Sequence, residues 1–82
     1  MEDLNIKIRN VINEKIGDEL FKNINEVEND ENLFNIGLDS LNIVKLIIEI
    51  ENKFDIIFDD EEIATTNWKN INSIESMIKN KI

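Results

Sequence analysis

Neither cysteine nor histidine occurs in this chain. Disulfides, thiolate or imidazole metal sites and histidine-based acid–base catalysis are thereby excluded, and the redox compartment is left open. Proline is absent too, and glycine occurs only at Gly17 and Gly37, so organisation has to be read from hydrophobic period rather than from chain breakers. No apolar run approaches the ~18 residues of a membrane span, and "MEDLNIKIRN" lacks the basic flank and continuous apolar stretch of a secretory signal. A cytoplasmic protein without membrane association is expected. Basic residues are scarce, nine against eighteen acidic ones, for a formal charge of −9. Such a surface repels nucleic-acid backbones and anionic membranes and favours basic protein surfaces as partners. The 82 residues suit one domain spanning 1–82 with one modest core, and leave no room for a deep substrate cleft, which argues against a complete enzyme. Isoleucine and asparagine are abundant, a bias that AT-rich codons alone would produce.

Leu4, Ile8, Val11 and Ile12 recur on one helical face, and Gly17 is placed to turn the backbone left-handed just past that helix. Residues 18–38 carry apolar anchors (Leu20, Phe21, Ile24, Val27, Leu33, Phe34, Ile36) without a sustained period, and read as a long ordered loop with a helical turn near Leu20. A second helix is predicted from Asp39 or Ser40 to about Lys53 or Phe54, since either side chain can accept from an unpaired first-turn N–H. The acids of "FDDEEI" suit the start of a short helix near residues 60–65. Ile71, Ile74, Ile78 and Ile82 form a final stripe with Asn70 or Asn72 as N-cap. The fold class is all-α, a four-helix bundle of three longer helices and one short one. "DIIF" could be a strand, but a lone strand has no partner.

Ile43, Leu46, Ile47, Ile50 and Phe54 occupy roughly one third of the second helix's circumference, an ordinary core stripe. Leu41, Val44 and Ile48 form a second arc centred roughly 130° away. Either the first loop folds over that arc or it is a docking surface, with Glu51 at its edge adding acidic steering. Ser40 at its head could be a simple cap. It cannot be a triad nucleophile within this chain, for want of a histidine base. A Ser–Lys or Asp-assisted nucleophile is compatible with the residues present, but a domain this small offers little enclosure for an oxyanion, so a chemical role for Ser40 points to modification by another protein.

The stretch "GLDSLNIVKLIIEIENKF" resembles the attachment-site motif of phosphopantetheine-dependent carrier proteins, the acyl and peptidyl carrier family, and the predicted helix order and loop lengths extend the resemblance over nearly the whole chain. The resemblance implies a bundle of acyl-carrier type with a long first loop. It implies that Ser40 receives 4′-phosphopantetheine covalently from coenzyme A through a separate magnesium-dependent phosphopantetheinyl transferase, with Asp39 positioning the reaction. It further implies that Leu41, Val44, Ile48 and Glu51 dock partner enzymes, and that the chain itself is not a catalyst. Its arm would hold an acyl or aminoacyl thioester for an adenylating or acyl-transferring enzyme and a downstream synthase or condensing enzyme.

Asn42, Lys45 and Lys53 stand where fatty-acid carriers are often acidic, which argues against fatty-acid enzymes as clients. Trp68 in "NWKNINSI" resembles a tryptophan of D-alanyl carriers, although a large residue closing the core explains it equally. A stand-alone, monomeric peptidyl or acyl carrier of specialised metabolism, such as nonribosomal peptide biosynthesis, is the expectation; a D-alanyl or fatty-acid carrier is the alternative. The rival from another class is a small acidic helical adaptor that uses the same strip without a cofactor. "NDEN" and "DDEE" lack the glycine and terminal glutamate offsets of a calcium loop, so no metal site is expected.

Overall fold

The computed structural model describes residues 3–82, apart from the side chains of Thr65 and Thr66. Three α-helices carry the fold: α1 (Leu4–Ile16), α2 (Ser40–Phe54) and α3 (Ile71–Lys79). Each starts on a side-chain cap, Asp3, Asp39 and Asn70 respectively, whose oxygen accepts from a first-turn N–H. Their apolar faces meet in one core. Ile8, Val11, Ile12 and Ile16 of α1 pack with Ile43, Leu46, Ile47 and Ile50 of α2 and with Ile71, Ile74, Met77 and Ile78 of α3. The predicted last stripe stops one turn early: α3 ends at Lys79, and Ile82 is 68% exposed.

The first loop is held together by local caps and by one arginine. It contains three short 3-10 turns, Gly17–Glu19, Ile24–Glu26 and Leu33–Ile36. Asn23 and Asn32 start the second and third by accepting from the N–H groups of Asn25 and Phe34, each at 2.9 Å. Ile24, Val27, Leu33, Ile36 and Leu38 are buried as anchors. Phe21, expected among them, is instead 84% exposed. Arg9 of α1 reaches across to the Ile24 carbonyl and, at 2.7 Å, to Asn29 Oδ1. The Leu33 N–H donates to the Lys69 carbonyl at 2.7 Å, so the loop's end hangs on the segment before α3.

The left-handed turn expected at Gly17 is found instead at Gly37. Gly17 has φ −52°, ordinary right-handed backbone, because the chain keeps winding into a 3-10 turn after α1. Gly37 is the left-handed one, at φ 117°, and turns the chain from the Leu33–Ile36 helix into the start of α2. A Cβ there would meet the Glu19 carbonyl oxygen at 2.8 Å. The loop backbone near Glu19 and Leu20 thus lies directly against the approach to α2.

After α2, Asp55 takes up a left-handed cap (φ 55°) and the chain runs extended, with Ile56 and Phe58 turned inward and Ile57 outward. The predicted short helix at 60–65 takes the form of a turn, in which the Glu62 and Ile63 N–H groups donate to the Asp59 carbonyl, followed by a 3-10 helix at Thr65–Trp68. Trp68 is fully buried; its ring meets Phe58 edge-on at 5.4 Å, and its Nε1–H donates to the Glu62 carbonyl at 3.0 Å. The last acid of "DDEE" is used structurally here: Glu62 accepts from the Asp59 N–H at 2.7 Å and pairs with Lys81 at 2.8 Å.

Candidate functional site

Asp39 is in extended backbone at φ −144°, immediately before the first turn of α2. Its Oδ1 accepts from the N–H groups of Leu41 (3.0 Å) and Asn42 (2.9 Å), two of the donors a helix start leaves unpaired. The Asn42 side chain answers in the other direction, completing a capping box. Ser40 is therefore the first residue of a 15-residue helix, and it is exposed. None of the bonds that cap the helix uses its hydroxyl. The first turn of α2 holds no acidic residue, so only the cap Asp39 opposes the attraction of an anion to the positive helix end.

The second arc of α2 is uncovered. Leu41, Val44 and Ile48 are 78%, 53% and 55% exposed, so the first loop does not fold over them. The loop does approach the head of the strip: the Phe21 N–H donates to the Ile36 carbonyl at 2.8 Å, next to the Gly37 turn, and Lys45 on α2 pairs with Glu19 at 2.8 Å. The exposed Phe21 ring consequently stands on the loop that borders the Ser40 end of α2. Nothing in the sequence pattern distinguished it from the buried loop anchors.

Glu51 is half-buried at the other end of the strip, and its Oε2 accepts from the Phe58 N–H at 2.9 Å. Its carboxylate thus fixes the chain leaving α2 as well as standing at the edge of the apolar arc. Two of the three supposed replacements of acidic surface positions also change meaning. Asn42 is 1% exposed on the core side and so faces no partner, and the Lys45 ammonium is paired with Glu19 rather than free. Trp68 belongs to the core. Among the described residues no cluster of acidic side chains is arranged to hold a metal ion, and no helix is long and apolar enough to cross a membrane.

An exposed serine at a helix start, with an uncovered apolar strip beside it, is a geometry suited to taking a phosphate-linked group and presenting it to other proteins. Comparison with known proteins agrees. The family described as "Phosphopantetheine attachment site" matches residues 7–78. The D-alanyl carrier protein of Streptococcus mutans is 44% identical over 61 residues, 73% of this chain and 77% of that protein. Aminoacyl carrier protein 2 of Bradyrhizobium diazoefficiens is 33% identical over 57 residues, 70% of this chain and 64% of that protein. A further match is the carrier chain in the crystal structure of an engineered Bradyrhizobium japonicum glycine:[carrier protein] ligase complexed with carrier protein from Agrobacterium tumefaciens and ATP. It superposes with a TM-score of 0.85 at 27% identity, over 94% of this chain and 97% of that one. By sequence match and by fold, the chain belongs to the family of phosphopantetheine-bearing carrier proteins.

Proposed function

We propose that Ser40 bears the 4′-phosphopantetheine and that the chain carries an aminoacyl group supplied by an adenylating ligase. The observation that carries this reading is the exposed Ser40 hydroxyl at the first position of α2, left out of the cap and continuous with the uncovered Leu41, Val44 and Ile48 strip. In the attachment step the Ser40 oxygen forms a bond to the pantetheine-side phosphorus of coenzyme A. The pyrophosphate bond breaks, adenosine 3′,5′-bisphosphate leaves, and the hydroxyl proton is taken up by the transferase or solvent. Asp39 holds the backbone of the acceptor residue in place through its cap. When bound, the group supplies a thiol that holds the cargo as a thioester.

Leu41, Val44 and Ile48, with Glu51 at one edge and Phe21 beside the other, form the docking surface for transferase, ligase and downstream synthase. A small apolar patch of this kind allows weak contact and quick release, which suits a shuttle. The amino-acid cargo is supported by the names of the two relatives, both carriers of amino acids, and by the ligase that accompanies the structural match. Within that class, a peptidyl carrier of specialised metabolism and a D-alanyl carrier differ in cargo; the second is favoured by the 44% identity to a D-alanyl carrier protein. We place the chain in the cytoplasm, where coenzyme A and ATP-dependent ligases act.

The test is intact-protein mass spectrometry after incubation with coenzyme A, magnesium and a broad-specificity phosphopantetheinyl transferase, with Ser40→Ala in parallel. Wild type gains one phosphopantetheinyl group and the variant none, with circular dichroism unchanged. Subsequent charging trials with D-alanine, glycine and other amino acids and their ligases identify the cargo. If no transferase modifies a folded wild-type chain, the carrier reading of Ser40 falls and the adaptor reading replaces it.

A further inference from the structure

We infer that Asn42 is a positioning residue for the modification of Ser40, a conclusion that rests on the assignment of Ser40 as the attachment residue. Asn42 is the single polar side chain buried among the described residues, at 1% exposure. Both ends of its amide are used. Oδ1 accepts from the Asp39 N–H at 2.7 Å, and Nδ2 donates to the Gly37 carbonyl at 3.0 Å.

A helix start needs only one cap, and Asp39 already provides it by accepting from Leu41 and Asn42. The ordinary reciprocal residue of a capping box returns one bond, to the N-cap N–H. Asn42 returns that bond and adds a second to Gly37, whose backbone is left-handed at φ 117°. From two residues beyond Ser40 it thus grips both residue 37 and residue 39. The two peptide units between Gly37 and Asp39 are held by Asn42, and the first turn of the helix is held by the Asp39 cap. None of these bonds uses the Ser40 hydroxyl.

Such a clamp suits a hydroxyl that must meet a phosphorus in a partner's active site, because holding the nucleophile near its attack direction removes part of the barrier. It also separates two functions along α2. Asn42 lies on the buried side and touches none of Leu41, Val44 or Ile48 in its hydrogen bonding, so loosening the clamp disturbs the reacting group while leaving the docking strip in place.

The experiment is steady-state kinetics of a phosphopantetheinyl transferase on wild type, Asn42→Ala, Asn42→Asp and the core control Ile78→Val, with melting temperatures for all four. Asn42→Ala is expected to lower kcat on the order of ten-fold while KM for the carrier changes less than about two-fold. Asn42→Asp keeps an acceptor for the Asp39 N–H but, ionised, loses the donor to Gly37, and should fall between wild type and Asn42→Ala. Ile78→Val should lose stability without a change in either constant. Equal kcat for wild type and Asn42→Ala, a loss seen in KM instead, or a loss shared by Ile78→Val at matched stability would each overturn the inference. Should Asn42→Ala not fold, hydrogen exchange in wild type decides: the Asp39 amide must be protected, and exchange at the rate of an open chain overturns the clamp. A wild-type chain that no transferase modifies refutes the assignment of Ser40 and takes this inference with it.

Discussion

Replacing Gly37 by alanine should be far more damaging than replacing Gly17. At φ 117° the backbone lies beyond the small left-handed region that L-residues reach, and a conformation of that kind costs roughly 1–3 kcal/mol. The new Cβ would also stand 2.8 Å from the Glu19 carbonyl oxygen and 3.3 Å from Leu20 Cα, both backbone atoms that cannot rotate away. Forcing them apart resembles overpacking, at about 1–3 kcal/mol. Together about 3–4 kcal/mol is expected, which lowers the melting midpoint of a chain this small by roughly 12–30 °C. Gly17→Ala meets only Asn13 Oδ1 at 2.7 Å, the end of an exposed side chain that can turn aside, and its φ of −52° suits alanine. That substitution should change stability by less than about 1 kcal/mol in either direction. Urea unfolding followed by far-ultraviolet circular dichroism measures both on one scale, with an unchanged m-value as the check that the unfolded states are comparable. A loss below about 1 kcal/mol for Gly37→Ala, or an equal loss for Gly17→Ala, would refute the reasoning from backbone sign and close approach.

Val44→Asp places a charge in the middle of the exposed strip, and should raise KM for the transferase and ligase at least about ten-fold while moving stability by no more than about 0.5 kcal/mol. Steady-state kinetics and a thermal melt on the same preparation separate the two effects. Stability should also fall in acid. The Glu62 carboxyl is held below its ordinary value first by the Asp59 N–H and then by Lys81, and that of Glu31 first by the Glu28 N–H and then by Lys22. A lowered folded pKa gives stability that is present above the unfolded value near 4.5 and lost as pH falls through the folded value. Glu62→Gln should therefore flatten the acid limb of melting temperature against pH, and an unaltered limb would count against it. At the other extreme Lys81 is raised above 10.5 by Glu62, so its contribution holds below that pH and disappears only as pH climbs through the raised value.

α2 was legible in the sequence because each of its signals is local or periodic. Asp39 caps within three residues, and the two arcs follow from 3.6 residues per turn. Asn42 was legible in principle, since it lies four residues before the buried Leu46 on the same face, a place where a polar residue requires partners. The signs of the two glycines were not legible. Which one turns left-handed depends on where residues 19 and 20 return in space, and no short window contains that. Phe21 and the buried Ile24 look alike as apolar residues in an aperiodic loop, and only the packed loop shows that one faces out. The abundance of asparagine, which composition alone would leave as codon bias, turns out to supply caps at Asn23, Asn32 and Asn70.

Trp68 gives the molecule an optical probe of its own. It is the sole tryptophan, there is no tyrosine, and its indole is sealed from water against Phe58. Fluorescence excited at the indole band therefore comes from one chromophore in one surrounding. The next residue, Lys69, receives the N–H of Leu33 and so anchors the turn that leads toward Ser40. Emission colour then reports whether that anchorage is closed, while quenching by iodide reports whether water has reached the core. Unfolding, and any loosening of that turn on loading or docking, can be followed in the same cuvette without attaching a dye.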